Sequence, residues 1–314
     1  MTSPRRQLRW ELSNNVAPSI YFGLDRKLCG IYTLEFEGGG RYVGQTVDLT
    51  SRLASHRRRW TDIVAVSFIE CGPDELDDLE RSLITQTERT HSVRNKAFTQ
   101  MPGGEAEIDL VVDRQQQAEW LDGVQSAYPL DERTRAAERR RRTRPKYEQL
   151  VAHPAFPEAL GDLAAFVHQV IPWPSVTGGL YWGVSPMPST SRTRERHRLF
   201  TVSAHNVELL YLMHYPGDGE TDAFLNVGSG IMTARDRSGL TIDRRPRYRS
   251  YRNCEGIALP AGVMSEVLER PSVLTAARSM ALGLMRRGPS NFAKFHSDAL
   301  LDDVLLHRDD VPTA

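Results

Sequence analysis

Between Gly30 and His56 the chain reads GIYTLEFEGGGRYVGQTVDLTSRLASH. Two short runs rich in β-branched and aromatic residues, 30–36 and 41–45, are separated by Glu37 and three consecutive glycines. A tight connection needs backbone at positive φ, which glycine adopts without steric cost, so the stretch is restricted to an antiparallel hairpin. The next segment, TVDLTSRLASHRRRW, offers Thr46 or Asp48 as an N-cap and sets Leu49 and Leu53 on one face, which predicts a helix. DIVAVSFIE, residues 62–70, is an apolar run of strand length. CGPDELDDLERSLITQTER then opens on a Gly-Pro-Asp helix start before Leu76, Leu79, Leu83 and Ile84 at helical spacing. The order is strand, strand, helix, strand, helix.

With 314 residues and 40% hydrophobic content the chain is long enough to bury two cores. Composition changes after Pro102-Gly103-Gly104: DRQQQAEWLDGVQ reads as a helix, and TRAAERRRRTRPKYEQLVAHP as an arginine-rich helix or linker, either a solvated face or a phosphate contact. From 151 onward a helix near 155–170, strands around GGLYWGVS, RLFTVSA, VELLYLMHY and AFLNVG, and helices near 271–287 and 297–307 suggest an α+β unit. The expected organisation is an N-terminal arm (1–28), a first domain (29–104), a helical, Arg-rich connector (105–150) and an α+β domain (151–314).

The formal net charge is zero, so affinity for a polyanion has to come from local basic patches. Cys29, Cys71 and Cys254 are far apart and lack a CxxC spacing, which argues against a disulfide framework or zinc site and fits a reducing cytoplasm. No stretch approaches the roughly 18 apolar residues of a membrane span, and the N-terminus has no apolar leader core, so a cytoplasmic, unprocessed protein without membrane partners is expected.

Hydrolysis of a phosphodiester needs a base for the attacking water, positive charge on the non-bridging oxygens and stabilisation of the leaving oxygen. The stretch supplies each residue type. Tyr32 and Tyr42 lie on adjacent strands, where cross-strand neighbours are roughly 5 Å apart and two hydroxyls can share a water. Arg52 and His56, at i and i+4, share a helix face. Glu80, between Leu79 and Leu83, lies at the edge of the second helix's buried face. Taken singly, each has an ordinary structural use as a strand, surface or helix-forming residue.

Taken together, Gly30-Ile31-Tyr32, Tyr42-Val43-Gly44, Arg52, His56, Glu80 and Asn95 resemble the GIY-YIG nucleases over residues 29–98, under a quarter of the chain, with valine standing in for isoleucine in the second signature. The resemblance implies an α/β domain with a three-stranded antiparallel sheet flanked by helices. It also implies roles: Tyr32 as general base, Arg52 on the scissile phosphate, Glu80 holding one Mg²⁺ or Mn²⁺, His56 and Tyr42 in proton handling and positioning, Asn95 as a brace, and Gly30 and Gly44 as structural positions. Ser51 stands where a number of relatives carry lysine, so Arg41 or Arg57 is the expected substitute cation. Arg57, Arg58 and Arg59 can track a DNA backbone, with Trp60 as a stacking surface, or form a solvated helix end.

In the second domain Arg192-Thr193-Arg194-Glu195-Arg196-His197-Arg198 is one basic cluster, and RDRSGLTIDRRPRYRSYR is another. The latter interleaves Tyr248 and Tyr251 with Arg245, Arg247, Arg249 and Arg252, a mixture suited to a phosphate track with stacking platforms or to an ordinary surface loop. His205, His214 and Cys254 lack ligand spacing, the Gly228-Ser229-Gly230 triplet reads as a turn, and Ser185 and Ser203 lack a nucleophile elbow. The expectation is therefore a metal-dependent DNA endonuclease targeted by its C-terminal domain. A catalytically inactive nucleic-acid-binding module and an RNA-cleaving nuclease are the alternatives, and oligomeric state is left open.

Overall fold

The computed structural model describes residues 7–13, 16–22, 27–123, 137–190, 192–243, 248, 251 and 253–307. It divides the chain into two compact units, Met1–Glu105 and Ala106–Ala314.

The first unit contains β1 (Gln7–Glu11), α1 (Pro18–Phe22), β2 (Gly30–Phe36), β3 (Arg41–Thr46), α2 (Leu49–Arg57), β4 (Ile63–Glu70) and α3 (Leu76–Glu88). Its antiparallel sheet has the order β1-β4-β2-β3. The expected three-stranded sheet is thus four-stranded: the segment read as an arm supplies β1, which pairs from Gln7 opposite Ile69 to Glu11 opposite Ala65. Two contacts hold it there. Trp10 meets the Phe22 ring edge-on at 4.9 Å, and Arg9 Nε donates to Glu35 at 2.8 Å.

Alternation along β2 sends Tyr32, Leu34 and Phe36 into a core with Leu49 and Leu53 of α2, while Ile31 and Val43 meet Leu76 and Ile84 of α3 on the other face. The helix start predicted at Thr46 or Asp48 falls on Asp48, whose carboxylate accepts from Ser51 N–H at 3.0 Å. In the hairpin, Gly39 takes a φ of 77°.

β3 is an edge strand, and the outward backbone groups of Arg41 and Val43 are engaged. Arg41 N–H donates to the Ser92 carbonyl (2.9 Å) and the Arg41 carbonyl accepts from Arg94 N–H (2.7 Å). Asn95 clasps Val43 from both sides: its Oδ1 accepts from Val43 N–H at 2.9 Å and its Nδ2 donates to the Val43 carbonyl at 2.7 Å.

The second unit contains α4 (Arg114–Leu121), α5 (Ala137–Val151), α6 (Phe156–Val170), α7 (Pro174–Thr177), β5 (Trp182–Pro186), β6 (His197–Ala204), β7 (Val207–Tyr215), β8 (Glu220–Gly228), α8 (Ala234–Arg237), β9 (Thr241–Asp243), β10 (Cys254–Pro260), α9 (Met264–Leu268), α10 (Pro271–Met285) and α11 (Asp298–Leu306). Its sheet, in the order β5-β6-β7-β8-β10-β9, is antiparallel throughout. The stretch read as a connector belongs to this unit from residue 106. Buried Arg286 donates to Asp109 (2.6 Å) and Gln117 (2.8 Å), and buried Arg278 lies over the Trp120 ring. The arginine run of α5 also makes internal contacts: Arg140 pairs with Asp302 at 2.8 Å and Arg142 donates to the Lys294 carbonyl.

Candidate nuclease site

The site is built around one buried hydroxyl. Tyr32 is 1% exposed, and the residue opposite it on β3 is Gly44 rather than Tyr42. The cross-strand pairing expected of the two tyrosines is therefore corrected to a diagonal one: Tyr42 faces Leu34, and the tyrosine rings lie 6.2 Å apart at 35°. This register explains both signature glycines. A Cβ at Gly44 would lie 2.4 Å from Tyr32 Oη, and one at Gly30 would lie 2.1 Å from the Ile69 carbonyl oxygen, so the backbone must come this close bare.

From α2, one turn apart, Arg52 and His56 converge on that oxygen. Arg52 Nε donates to Tyr32 Oη at 3.1 Å, and His56 Nε2 lies 2.7 Å from it. With Arg52 donating to the oxygen, the phenolic proton can point at Nε2 when His56 carries its own proton on Nδ1. Glu80 comes from α3, on the opposite face of the sheet, and reaches the edge of β3 where the backbone and side chain of Gln45 hydrogen-bond it. Gln45 Nε2 also donates to Asp77 at 2.8 Å.

The electrostatics follow from burial. Desolvation and the neighbouring Tyr42 push the Tyr32 phenol well above its ordinary range, against the pull of Arg52. Burial, then Arg52 and Arg59, push His56 down to about 4. Burial raises the Glu80 carboxyl, with Asp77 adding to the effect and Gln45 and Arg52 opposing it. Arg52 thus acts on both Tyr32 and Glu80.

Glu80 offers hard oxygen donors, half-buried beside a second acidic residue, and suits a divalent cation. Among the described residues no three His, Cys, Asp or Glu side chains gather as a metal cage. A cation at Glu80 would therefore complete its shell with water and phosphate oxygens, the habit of Mg²⁺.

Several expected binding residues are committed elsewhere. Arg57 donates to the carbonyls of Val16 and Ser13 (3.2 Å for the latter) and lies over the Tyr21 ring, so it is a tether of α2 rather than a free phosphate contact. Arg41 pairs with Glu35 at 3.3 Å, so neither expected substitute for a lysine at Ser51 is available. Trp60 is half-buried and packs on His56, Phe36 and Tyr42 instead of presenting a free stacking face. Arg58 and Arg59 are exposed.

In the second unit the tyrosines read as stacking platforms point inward. The Tyr248 hydroxyl donates to Glu208 (3.1 Å) and accepts from Asn226 (3.2 Å), while Tyr251 is 2% exposed under Arg287. Arg245, Arg247, Arg249 and Arg252 lie outside the described residues. Arg198 is buried in an ion pair with Glu208 and leaves the basic cluster read around it.

Gln45 and Trp60 had weaker sequence signals. Gln45 follows the second signature directly on an edge strand, and Trp60 stands four residues after His56.

Comparison with protein-family models, curated proteins and solved structures gave no match for this chain.

Proposed function

We propose that the first unit is a GIY-YIG-type, metal-dependent phosphodiesterase acting as a DNA endonuclease, with the second unit directing it to its target, in the cytoplasm. The observation that carries this reading is the Tyr32 hydroxyl held between Arg52 and His56, with the same arginine opposing the upward shift of Glu80. No helix among the described residues is long and apolar enough to cross a membrane.

At neutral pH Tyr32 is protonated and His56 is neutral. The chain's own residues then form a relay. Tyr32 Oη takes a proton from the attacking water as its own proton passes to His56 Nε2, so the buried phenol never carries a full charge. The electron pair left on the water oxygen forms the bond to phosphorus, the ester P–O bond breaks, and the imidazolium returns its proton to the leaving oxygen or to solvent. Arg52, exposed and cationic, stabilises the negative charge of the phosphate. A Mg²⁺ or Mn²⁺ ion, which Glu80 would hold, would supply further positive charge there.

One observation favours a second reading, an inactive nucleic-acid-binding module: Tyr32 is 1% exposed and its hydroxyl already has both partners. Incubating the purified chain with plasmid, cruciform and labelled RNA substrates in Mg²⁺ or Mn²⁺ separates the readings. Cleavage of DNA supports the endonuclease, cleavage confined to RNA redirects the substrate assignment, and binding without cleavage supports the module.

A further inference from the structure

The His56 imidazole is enclosed by aromatic rings. The Trp60 indole is stacked on it at 5.1 Å and 7°, and the tilted rings of Tyr42 and Tyr32 stand at 5.0 and 5.5 Å. Trp60 reaches this position through the turn that ends α2, where the His56 carbonyl accepts from both Arg59 N–H (2.9 Å) and Trp60 N–H (2.8 Å). The indole is itself braced: Phe36 meets it edge-on at 5.3 Å, Tyr42 lies at 5.1 Å, and the Arg59 guanidinium is 5.0 Å from the ring.

We propose that Trp60 is a positioning residue: stacked on His56, it holds Nε2 against the Tyr32 hydroxyl and keeps the imidazole in the neutral, proton-accepting form. The proposal rests on the nuclease reading for its catalytic consequence but not for the contact itself. An imidazole at the C-terminal end of a helix is ordinarily solvated, and a helix C-terminus favours its charged form. Here the indole covers one face and removes that solvent. The other groups facing the ring are the phenols of Tyr32 from β2 and Tyr42 from β3, Arg52 on its own helix and Arg59 just beyond it, with Arg94 on the Trp60 ring. The charged ones are all cations, so burial and repulsion act in the same direction, and His56 is displaced to about 4.

The test uses the full chain and the variants Trp60→Phe, Trp60→Leu and His56→Asn. NMR titration of the imidazole should find His56 near its depressed value in the wild type, moved up by at least about one unit toward its ordinary 6.5 in Trp60→Leu, and held lower in Trp60→Phe. A protonated imidazole stacked on an indole quenches it, so wild-type fluorescence should fall as His56 titrates. The chain has five tryptophans, so this component is taken as the difference from His56→Asn, in which it should vanish. On DNA, Trp60→Leu should lose roughly tenfold or more in kcat with KM unchanged, and Trp60→Phe should recover most of it.

An unmoved His56 titration in Trp60→Leu, or wild-type fluorescence that ignores that titration, overturns the proposal. If Trp60→Leu fails to fold, the wild-type and His56→Asn fluorescence comparison decides it. A wild type that cuts no nucleic acid sinks the nuclease reading, while the titrations still decide whether Trp60 holds His56.

Discussion

The Tyr32 hydroxyl lies 2.7 Å from Nε2 of His56, a contact between the first strand of a hairpin and the last turn of the helix that follows it. It depends on the ring of Tyr32 lying against the bare Cα of Gly44 on the neighbouring strand.

Gly44→Ala should therefore push Tyr32 away from both Arg52 and His56. The added methyl meets atoms of a fully buried ring, so overpacking of about 1–3 kcal/mol is expected, with loss of any cleavage. Urea denaturation beside a plasmid assay checks this. Unchanged stability and activity would show that the ring has room to yield.

Asn95→Ala removes both side-chain bonds to Val43 and leaves two backbone groups at the β3 edge without protein partners. The expected cost is about 1–3 kcal/mol. Hydrogen exchange at the Val43 amide should accelerate more than exchange at β4 amides, which lie away from this edge.

Two buried groups, one in each unit, should respond to pH in opposite directions. His56 is displaced down to about 4, so the unfolded chain takes up the proton first; its contribution to the first unit is full above about 6.5 and is lost as pH falls through about 4. Asp162, 2% exposed and accepting from Gly262 N–H (2.8 Å) and Met264 N–H (3.0 Å), is raised by burial to about 6. The unfolded chain releases that proton first, so the contribution to the second unit is full below about 4 and is lost as pH rises through about 6. Each effect is on the order of 3 kcal/mol, reduced by solvent screening for the half-buried His56. Thermal melts followed by unit-specific probes, with His56→Asn and Asp162→Asn as controls, read the two slopes.

Asp109→Ala should loosen the segment that joins the second unit at residue 106. It removes the Asp109 carboxylate from the buried guanidinium of Arg286, a loss of roughly 3 kcal/mol. Limited proteolysis should then cut between 106 and 122 faster than in the wild type.

The sequence was most legible where local chemistry decides the structure. The glycine triplet, the Asp48 cap and the β-branched run at 63–70 each specify an element without help from distant residues. What could not be read depends on register and on long-range partners. Whether Tyr32 faces Tyr42 or Gly44 turns on two residues of strand register. The pairing of Gln7–Glu11 with β4 spans more than 50 residues of chain, and its sequence is too polar to announce a strand. Arg57 and Tyr248 look like free binding residues because their partners, Val16, Glu208 and Asn226, are remote in sequence. The second unit's order of strands was hidden for the same reason: β10, CEGIALP, carries a glycine and a proline and is recognisable as a strand only once paired with β8.

The central claim is that Tyr32, Arg52, His56 and Glu80 form a phosphodiesterase site, and single-turnover cleavage of plasmid DNA in Mg²⁺ or Mn²⁺ tests it most directly. Wild type should nick or linearise the plasmid. Tyr32→Phe, which keeps the ring over Gly44 and removes only the hydroxyl, should lose at least roughly a hundredfold in rate while remaining folded and DNA-bound. Equal cleavage by wild type and Tyr32→Phe would contradict the claim, as would a Glu80→Ala variant that cuts as well as the wild type.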